Sequence, residues 1–173
     1  MIIIITGASH TGKTILAQRM LEKYKYPYLS IDHLKMGLIR SNNTSLTPND
    51  DEKLTFYLWP IVCEMIKTAI ENKQNLIIEG CYIPFNWRLS FDKEYLDEIH
   101  FICLAFSNNY IDNNYKAIIE HSCDVEHRIS DEYCTIDSLK KENKKYITGF
   151  KNDNIVIIDS NYEETIENVA DLN

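Results

Sequence analysis

The chain has 173 residues, 45% of them hydrophobic and 25% charged, which fits one globular domain and excludes disordered, collagen-like and coiled-coil chains. At this length roughly 70% of the extended surface is buried on folding, so neither disulfides nor a structural metal is needed. Acidic residues outnumber basic ones 26 to 18 and the net charge is -8, which argues against general nucleic-acid binding while leaving room for a small basic pocket.

Met1 to Ile5 is apolar but too short for a signal peptide and has no basic leader. No run approaches the ~20 apolar residues of a membrane span, so no membrane association is expected. The cysteines Cys63, Cys81, Cys103, Cys123 and Cys134 are odd in number and lack C-x-x-C spacing. Reduced thiols in a cytoplasmic protein are therefore expected.

Ile2 to Ile5 is an unbroken β-branched run, the pattern of a strand buried on both faces. Gly7 to Gly12 reads as a loop. A helix follows over about Lys13 to Tyr24, with Ala17, Met20, Leu21 and Tyr24 on one face. A second strand is predicted around Tyr28 to Ile31, with Pro27 before it, and then a short helix from His33 to Arg40. Ser41 to Asp51 is polar and reads as a loop. Thr47 suits an N-cap and Pro48 the first position of a long helix, with Asp50, Asp51 and Glu52 favouring its positive end. Leu54, Leu58, Ile61, Met65 and Ala69 carry its stripe, and Pro60 within it predicts a kink.

Leu76 to Ile78 is a third buried strand and Ile99 to Phe106 a fourth. Helices are predicted over about Asn108 to His121 and Asp137 to Ile147, with a polar, irregular stretch from Ser122 to Ile136 between them. Ile155 to Ile158 is a fifth strand. A last helix carries Ile166, Val169 and Ala170, and Ser160 to Glu163 fits a capping box. Short apolar strands alternating with helices predict an α/β fold with a parallel sheet covered on both faces.

Gly7-Ala8-Ser9-His10-Thr11-Gly12-Lys13-Thr14 fits G-x-x-x-x-G-K-[ST], the Walker A phosphate loop. Its glycines let the backbone curl so that successive N–H groups point at phosphate oxygens. The loop opens a helix N-terminus, which also favours anions. Lys13 reaches the terminal phosphates of ATP and the Thr14 hydroxyl binds Mg2+. His10 varies within such a loop and is not assigned to catalysis. The N-K-x-D string of a switch GTPase and the signature of a transporter ATPase are absent, and the chain is too short for a helicase core. A compact kinase remains.

In an open α/β sheet, ligands sit beyond the carboxyl ends of the strands. Asp32, Glu79 and Asp159 lie at three of those ends. Asp32 also suits an N-cap, Glu79 could be satisfied by nearby backbone donors, and Asp159 fits turn chemistry. Arg19 reads as surface, which leaves Arg40, Arg88 and Arg128, in the insertions after strands two, three and four, to clamp an anionic acceptor or the γ-phosphate. Each alone also fits a solvated surface charge. Lys140, Lys141, Lys144 and Lys145 read as a solvated helix face, supported by Asp137–Lys141 pairing, or as part of a lid. Tyr57, Trp59 and Tyr82 read as core or pocket wall. Trp87 could line the acceptor site beside Arg88, and Cys81 is close enough to react.

The Walker A loop, Asp32 within Ser30-Ile31-Asp32-His33-Leu34-Lys35, and Ile77-Ile78-Glu79-Gly80 together resemble the small-molecule P-loop kinases. That group includes adenylate, shikimate and gluconate kinases, chloramphenicol phosphotransferase and zeta-toxin kinases. Ile77 to Pro84 is most similar to the third-strand segment of 2-phosphoglycerate kinases. It is also similar to the D-G-x-P-R segment of adenylate kinases, but Phe85 stands after Pro84 where that segment has arginine. The resemblance covers residues 1 to about 84, and the rest by element order.

The resemblance implies a three-layer P-loop fold with a five-stranded parallel sheet in order 2-3-1-4-5, helices on both faces and a helical lid. It implies a single domain over 1–173, with an acceptor-binding insertion at about 33–72 and a lid at about 122–150. It makes Asp32 the acceptor-contacting general base, Glu79 a support for magnesium or acceptor, and Arg128 a lid arginine. The expected function is Mg2+-dependent transfer of the ATP γ-phosphate to a small acceptor. A hydroxyl acceptor is slightly favoured, because an alcohol needs a base and a phosphate does not. A nucleoside monophosphate kinase, an ATP-binding regulator without transfer and a toxin-type kinase stay open as alternatives. Monomer and dimer are equally open.

Overall fold

The computed structural model describes residues 1–120 and 134–171. The strands are β1 (Ile2–Gly7), β2 (Tyr28–Ser30), β3 (Leu76–Glu79), β4 (Ile99–Phe106) and β5 (Ile155–Ile158). They form one sheet in the order β2-β3-β1-β4-β5, and every adjacent pair is parallel. The helices are α1 (Lys13–Tyr24), α2 (Ile31–Arg40), α3 (Asp51–Glu71), α4 (Lys93–Leu96), α5 (Asn108–Glu120), α6 (Ile136–Gly149) and α7 (Tyr162–Val169), with a short 3-10 turn at Trp87–Ser90.

The period of two along β1 divides the core. Ile2 and Ile4 pack with Leu58, Val62 and Ile66 of α3 and with Trp87, Phe101 and Phe150. Ile3 and Ile5 pack on the other face with Leu16, Ala17 and Met20 of α1, Ile111 of α5 and Ile166 of α7. Helices therefore cover both faces. Burial is complete only for the central strand β1: β3 and β4 are each partly exposed at their amino ends, β2 and β5 are edges, and Ile157 is 48% exposed.

Several expected boundaries move, each for a tertiary reason. α2 begins at Ile31, not His33. Ile31 is fully buried and packs where a Cβ on Gly80 would lie, so the second strand stops one residue early. Ser30, not Asp32, holds the N-cap position, and Asp32 falls in the first turn of the helix. α3 begins at Asp51 with Asp50 as its N-cap. Thr47 instead donates its N–H and hydroxyl to the Asp50 carboxylate, at 3.0 and 2.7 Å, and these bonds hold the Asp50 pKa well below the ordinary carboxylate range.

The α3 stripe runs through Leu58, Val62 and Ile66, while Met65 is 37% exposed. Both spacings fit one helix turn, and packing against β1 chooses between them. At α7 the cap is Asn161, which accepts from the Glu164 N–H at 3.2 Å. No helix among the described residues is long and apolar enough to cross a membrane.

One buried polar side chain joins α6 to the sheet. Asn143 is 1% exposed. Its Oδ1 accepts from the Phe106 N–H at 2.6 Å and its Nδ2 donates to the Leu139 carbonyl at 2.8 Å. Asn143→Ala strands the Phe106 donor at the end of β4. A loss of ~1–3 kcal/mol in unfolding free energy is expected from urea denaturation; an unchanged midpoint would show that the clamp is not stabilising.

Candidate active site

The phosphate loop leaves the sheet from its central strand. At Gly7 φ is 146°, and a Cβ there would run into the Leu104 backbone of β4. Only glycine lets β1 pass this close. The Ala8 N–H donates to the Leu104 carbonyl at 3.2 Å. His10 (φ 64°) and Gly12 (φ 86°) then take left-handed conformations that curl the loop. A Cβ on Gly12 would collide with the Tyr162 hydroxyl, so the second glycine is fixed by sterics as well as by curvature. Within the loop, Thr11 Oγ1 and Lys13 Nζ donate to the Ala8 carbonyl at 2.8 and 2.9 Å.

The loop already accepts an anion. Glu142 of α6 places its Oε1 at 3.1 Å from the Ser9 N–H and 3.0 Å from Ser9 Oγ, and both donate to it. A carboxylate oxygen thus stands where a phosphate oxygen can stand, on a backbone amide beside a helix N-terminus.

A cavity of about 770 Å³ opens over this loop. Ser9, His10, Gly12, Lys13 and Thr14 line its middle. The strand order sets its two flanks. On the β2–β3 side stand Asp32, Lys35, Asp51, Glu79 and Tyr82; on the other stand Phe106, Tyr110, Ile118 and Tyr162. Phe106 and Tyr110 stack there, with ring centroids 4.9 Å apart.

The polar flank is a linked network. Lys35 Nζ pairs with Asp32 Oδ1 at 2.5 Å, donates to the Tyr82 hydroxyl at 2.8 Å and lies 4.9 Å from the centre of the Tyr82 ring. Tyr82 in turn donates to Asp51 Oδ1 at 3.1 Å. Desolvation, then neighbouring charges including Asp32 and Asp51, pushes the Tyr82 hydroxyl above its ordinary pKa, so it remains a neutral donor. Glu79 is 2% exposed and accepts from the Tyr28 hydroxyl at 3.1 Å. The register puts it beside Ile5 of β1 and Ser30, at the carboxyl ends of β2 and β3.

Lys13, Thr14, Ser9, His10, Gly12, Asp32 and Glu79 therefore meet in one cavity, while Gly7, Ala8 and Thr11 shape the loop behind it. Other expected site residues lie elsewhere. Arg88 pairs with Asp153 at 2.7 Å, ahead of β5, and lies 4.7 Å from the Trp87 ring. It is thus held at the amino ends of the strands, away from the cavity. Trp87 is buried and stacks on Phe101 in the core, so it does not line the acceptor site. Arg40 is exposed at the end of α2 and does not line the cavity, and neither does Asp159. Arg128 lies outside the described residues.

The lysines of α6 do not line the cavity: Lys140 pairs with Asp112 at 2.6 Å, and Lys145 lies 5.9 Å from the Phe85 ring. The helix contributes an acid to the loop instead. Cys81 opens onto the cavity, but its thiol is pushed up to about 11, first by desolvation and then by Asp32. It is protonated at neutral pH and is not a ready nucleophile.

Sequence reasoning missed Lys35, Asp51 and Glu142. Lys35 had a signal, since it stands three residues after Asp32 on one helix face. Asp51 reads in the sequence only as an acid favouring the positive end of α3. Glu142 had none, being 133 residues from Ser9. The Glu142 carboxylate competes with any phosphate for the Ser9 donors. Glu142→Gln is expected to tighten ATP binding about fivefold, for a competing contact worth ~1 kcal/mol. Titration calorimetry against wild type checks this, and weaker binding in the variant would show that Glu142 supports the loop instead.

No family model matches the sequence, and no curated protein matches it. Solved structures do. A deoxyadenosine kinase from M. mycoides aligns over 98% of this chain and 96% of its own at 18% identity, with a TM-score of 0.57. A shikimate kinase from Bacteroides thetaiotaomicron aligns over 97% and 95% at 13% identity, with a TM-score of 0.55. A shikimate kinase from Aquifex aeolicus aligns over 98% and 93% at 16% identity, with a TM-score of 0.50. The chain has the fold of the P-loop small-molecule kinases, and its strand order is the one the resemblance implies.

Proposed function

We propose that this chain is a Mg2+-dependent phosphotransferase that moves the γ-phosphate of ATP to a hydroxyl of a small acceptor. One observation carries the reading. An anion-accepting loop with its lysine opens onto the same cavity as a carboxylate able to take a hydroxyl proton. A loop that only bound nucleotide would not need Asp32 and Glu79 beside it.

The residues fit ATP. The Ser9 N–H already takes a carboxylate, and Lys13 rests on a carbonyl of its own loop, from which it can turn to the β- and γ-phosphates. The aromatic flank of Phe106, Tyr110 and Tyr162 offers an apolar wall to a base. The fit to magnesium is narrower. Among the described residues no group of three His, Cys, Asp or Glu side chains stands ready to hold a metal alone. Magnesium would therefore be held by the nucleotide phosphates together with Thr14, with Glu79 reaching it through water. When bound, it neutralises charge on the phosphates.

Transfer forms a bond between the γ-phosphorus and the acceptor oxygen and breaks the bond to the β–γ bridging oxygen, releasing ADP. The hydroxyl proton goes to Asp32, whose Oδ1 is fixed by Lys35. Lys13 and the loop amides stabilise charge on the transferring group.

With γ-labelled ATP and a panel of acceptors, Lys13→Ala is expected to lower turnover by about 10²–10³, the usual cost of one such electrostatic contact. Unchanged turnover would overturn the proposal. Asp32→Asn is expected to lower transfer to an alcohol by ~10²–10⁴ while leaving ATP affinity within twofold, roughly the effect of losing a general base. Transfer to a nucleoside monophosphate that survives Asp32→Asn would point to a nucleotide kinase.

A further inference from the structure

The acceptor flank of the cavity is charged in one direction. It carries three carboxylates, Asp32, Asp51 and Glu79, against one ammonium, Lys35. That ammonium is committed: it is ion-paired with Asp32 at 2.5 Å, donates to Tyr82 at 2.8 Å and is only 11% exposed. Lys13 belongs to the phosphate loop. Among the described residues no arginine lines the cavity, and Arg88 is paired with Asp153 well away from it.

An acceptor bearing a carboxylate or phosphate would have to desolvate its charge beside these acids, with no uncommitted cation among the described residues of that flank to receive it. An acceptor bearing an ammonium finds the opposite. We infer, resting on the phosphotransferase reading above, that the acceptor is an amine-bearing alcohol, its ammonium received by Asp51 and its hydroxyl presented to Asp32. The geometry separates the two roles. Tyr82 donates to Asp51 Oδ1 and accepts from Lys35 Nζ, so among the described residues the flank's ammonium is bonded directly to Asp32 and reaches Asp51 only through the phenol. Asp51 sits in the first turn of α3 and remains exposed, so a ligand can reach it. Asp32 and Asp51 are linked through Lys35 and Tyr82 by successive short contacts, which suits two functional groups on one small molecule.

Matched acceptors on three scaffolds test this with the full chain, Mg2+ and γ-labelled ATP: a hexosamine, its hexose, its hexuronate and its hexose phosphate; serinol with glycerol and glycerate; and an aminonucleoside with its nucleoside and nucleoside monophosphate. On at least one scaffold the amine is expected to exceed its uncharged partner in kcat/KM by ~10-fold or more, the scale of one well-placed charge pair, with the anionic members lowest. Asp51→Asn is expected to collapse that ratio toward unity, mainly through KM, with the far-ultraviolet circular dichroism and ATP affinity reporting that the variant is folded. Label that goes preferentially to an anionic member, or equally to amine and uncharged partner, overturns the inference and leaves the kinase reading standing. Absence of transfer to every member, with ATP still bound, overturns both.

Discussion

A central strand that ends in a glycine turn leaves backbone amides pointing into one cavity, and those amides require an anion. This constraint organises the molecule. β1 lies between β3 and β4, so the turn at Gly7 is wedged against the β4 backbone at Leu104 and cannot relax sideways. The left-handed residues His10 and Gly12 complete the curl before α1 begins. The loop draws on its surroundings: Thr11 and Lys13 turn to the Ala8 carbonyl, and Ser9 takes the carboxylate of Glu142. A carboxylate binding there from a helix far along the chain says as much about the loop's preference as the motif does, because the local field selects charge sign and not ligand identity.

The strand order then decides what surrounds the anion. The cavity-lining residues that follow β2 and β3 stand on one flank, and those that follow β4 and β5 on the other. The first flank is built from acids, a partly buried lysine and a tyrosine hydroxyl; the second is aromatic and aliphatic apart from Glu163, which pairs with Arg19. Two ligands of different chemistry can therefore approach the same loop from opposite sides. The polar flank is held by packing as well as by hydrogen bonds. Ile31 seats the start of α2 against Gly80, and that seat fixes where Asp32 and Lys35 emerge. A larger residue at Gly80 would press on Ile31 directly.

How much of this was legible in the sequence depends on how local each cause is. β4, β5 and α1 fall at the residues their apolar patterns mark, since an apolar run such as Phe101 to Phe106 or an amphipathic turn after Gly-Lys-Thr has no competing local solution. The Walker A loop was legible because backbone curvature and charge are written in eight consecutive residues. Arg88 was misread because its partner, Asp153, lies 65 residues away. A lone arginine carries no mark of which carboxylate will claim it. The cap of α3 was misread because Thr47 and Asp50 are both good capping residues, and the turn between them, closed by the Asp50 N–H on the Thr47 carbonyl at 3.0 Å, decides for the second. The α3 stripe shows the same limit: Ile61 and Met65 fit the helical period as well as Val62 and Ile66, and only the position of β1 distinguishes them.

The two neighbouring polar residues of α6 give its attachment a particular character. Asn143 is buried and bonded to β4, and Tyr146 and Phe150 pack among Phe85 and Phe101. The backbone of this part of the helix is thereby tied to the sheet. Glu142, one residue earlier, is only partly buried and is joined to the loop through its carboxylate. An incoming phosphate then needs to displace a side chain, not a helix. Rotamer exchange of a partly exposed glutamate takes picoseconds to nanoseconds, whereas moving a packed helix takes microseconds or longer. The competing anion therefore sets an energetic threshold for phosphate binding without imposing a slow conformational step on it, and a rigid attachment and an exchangeable ligand coexist on adjacent residues of the same helix.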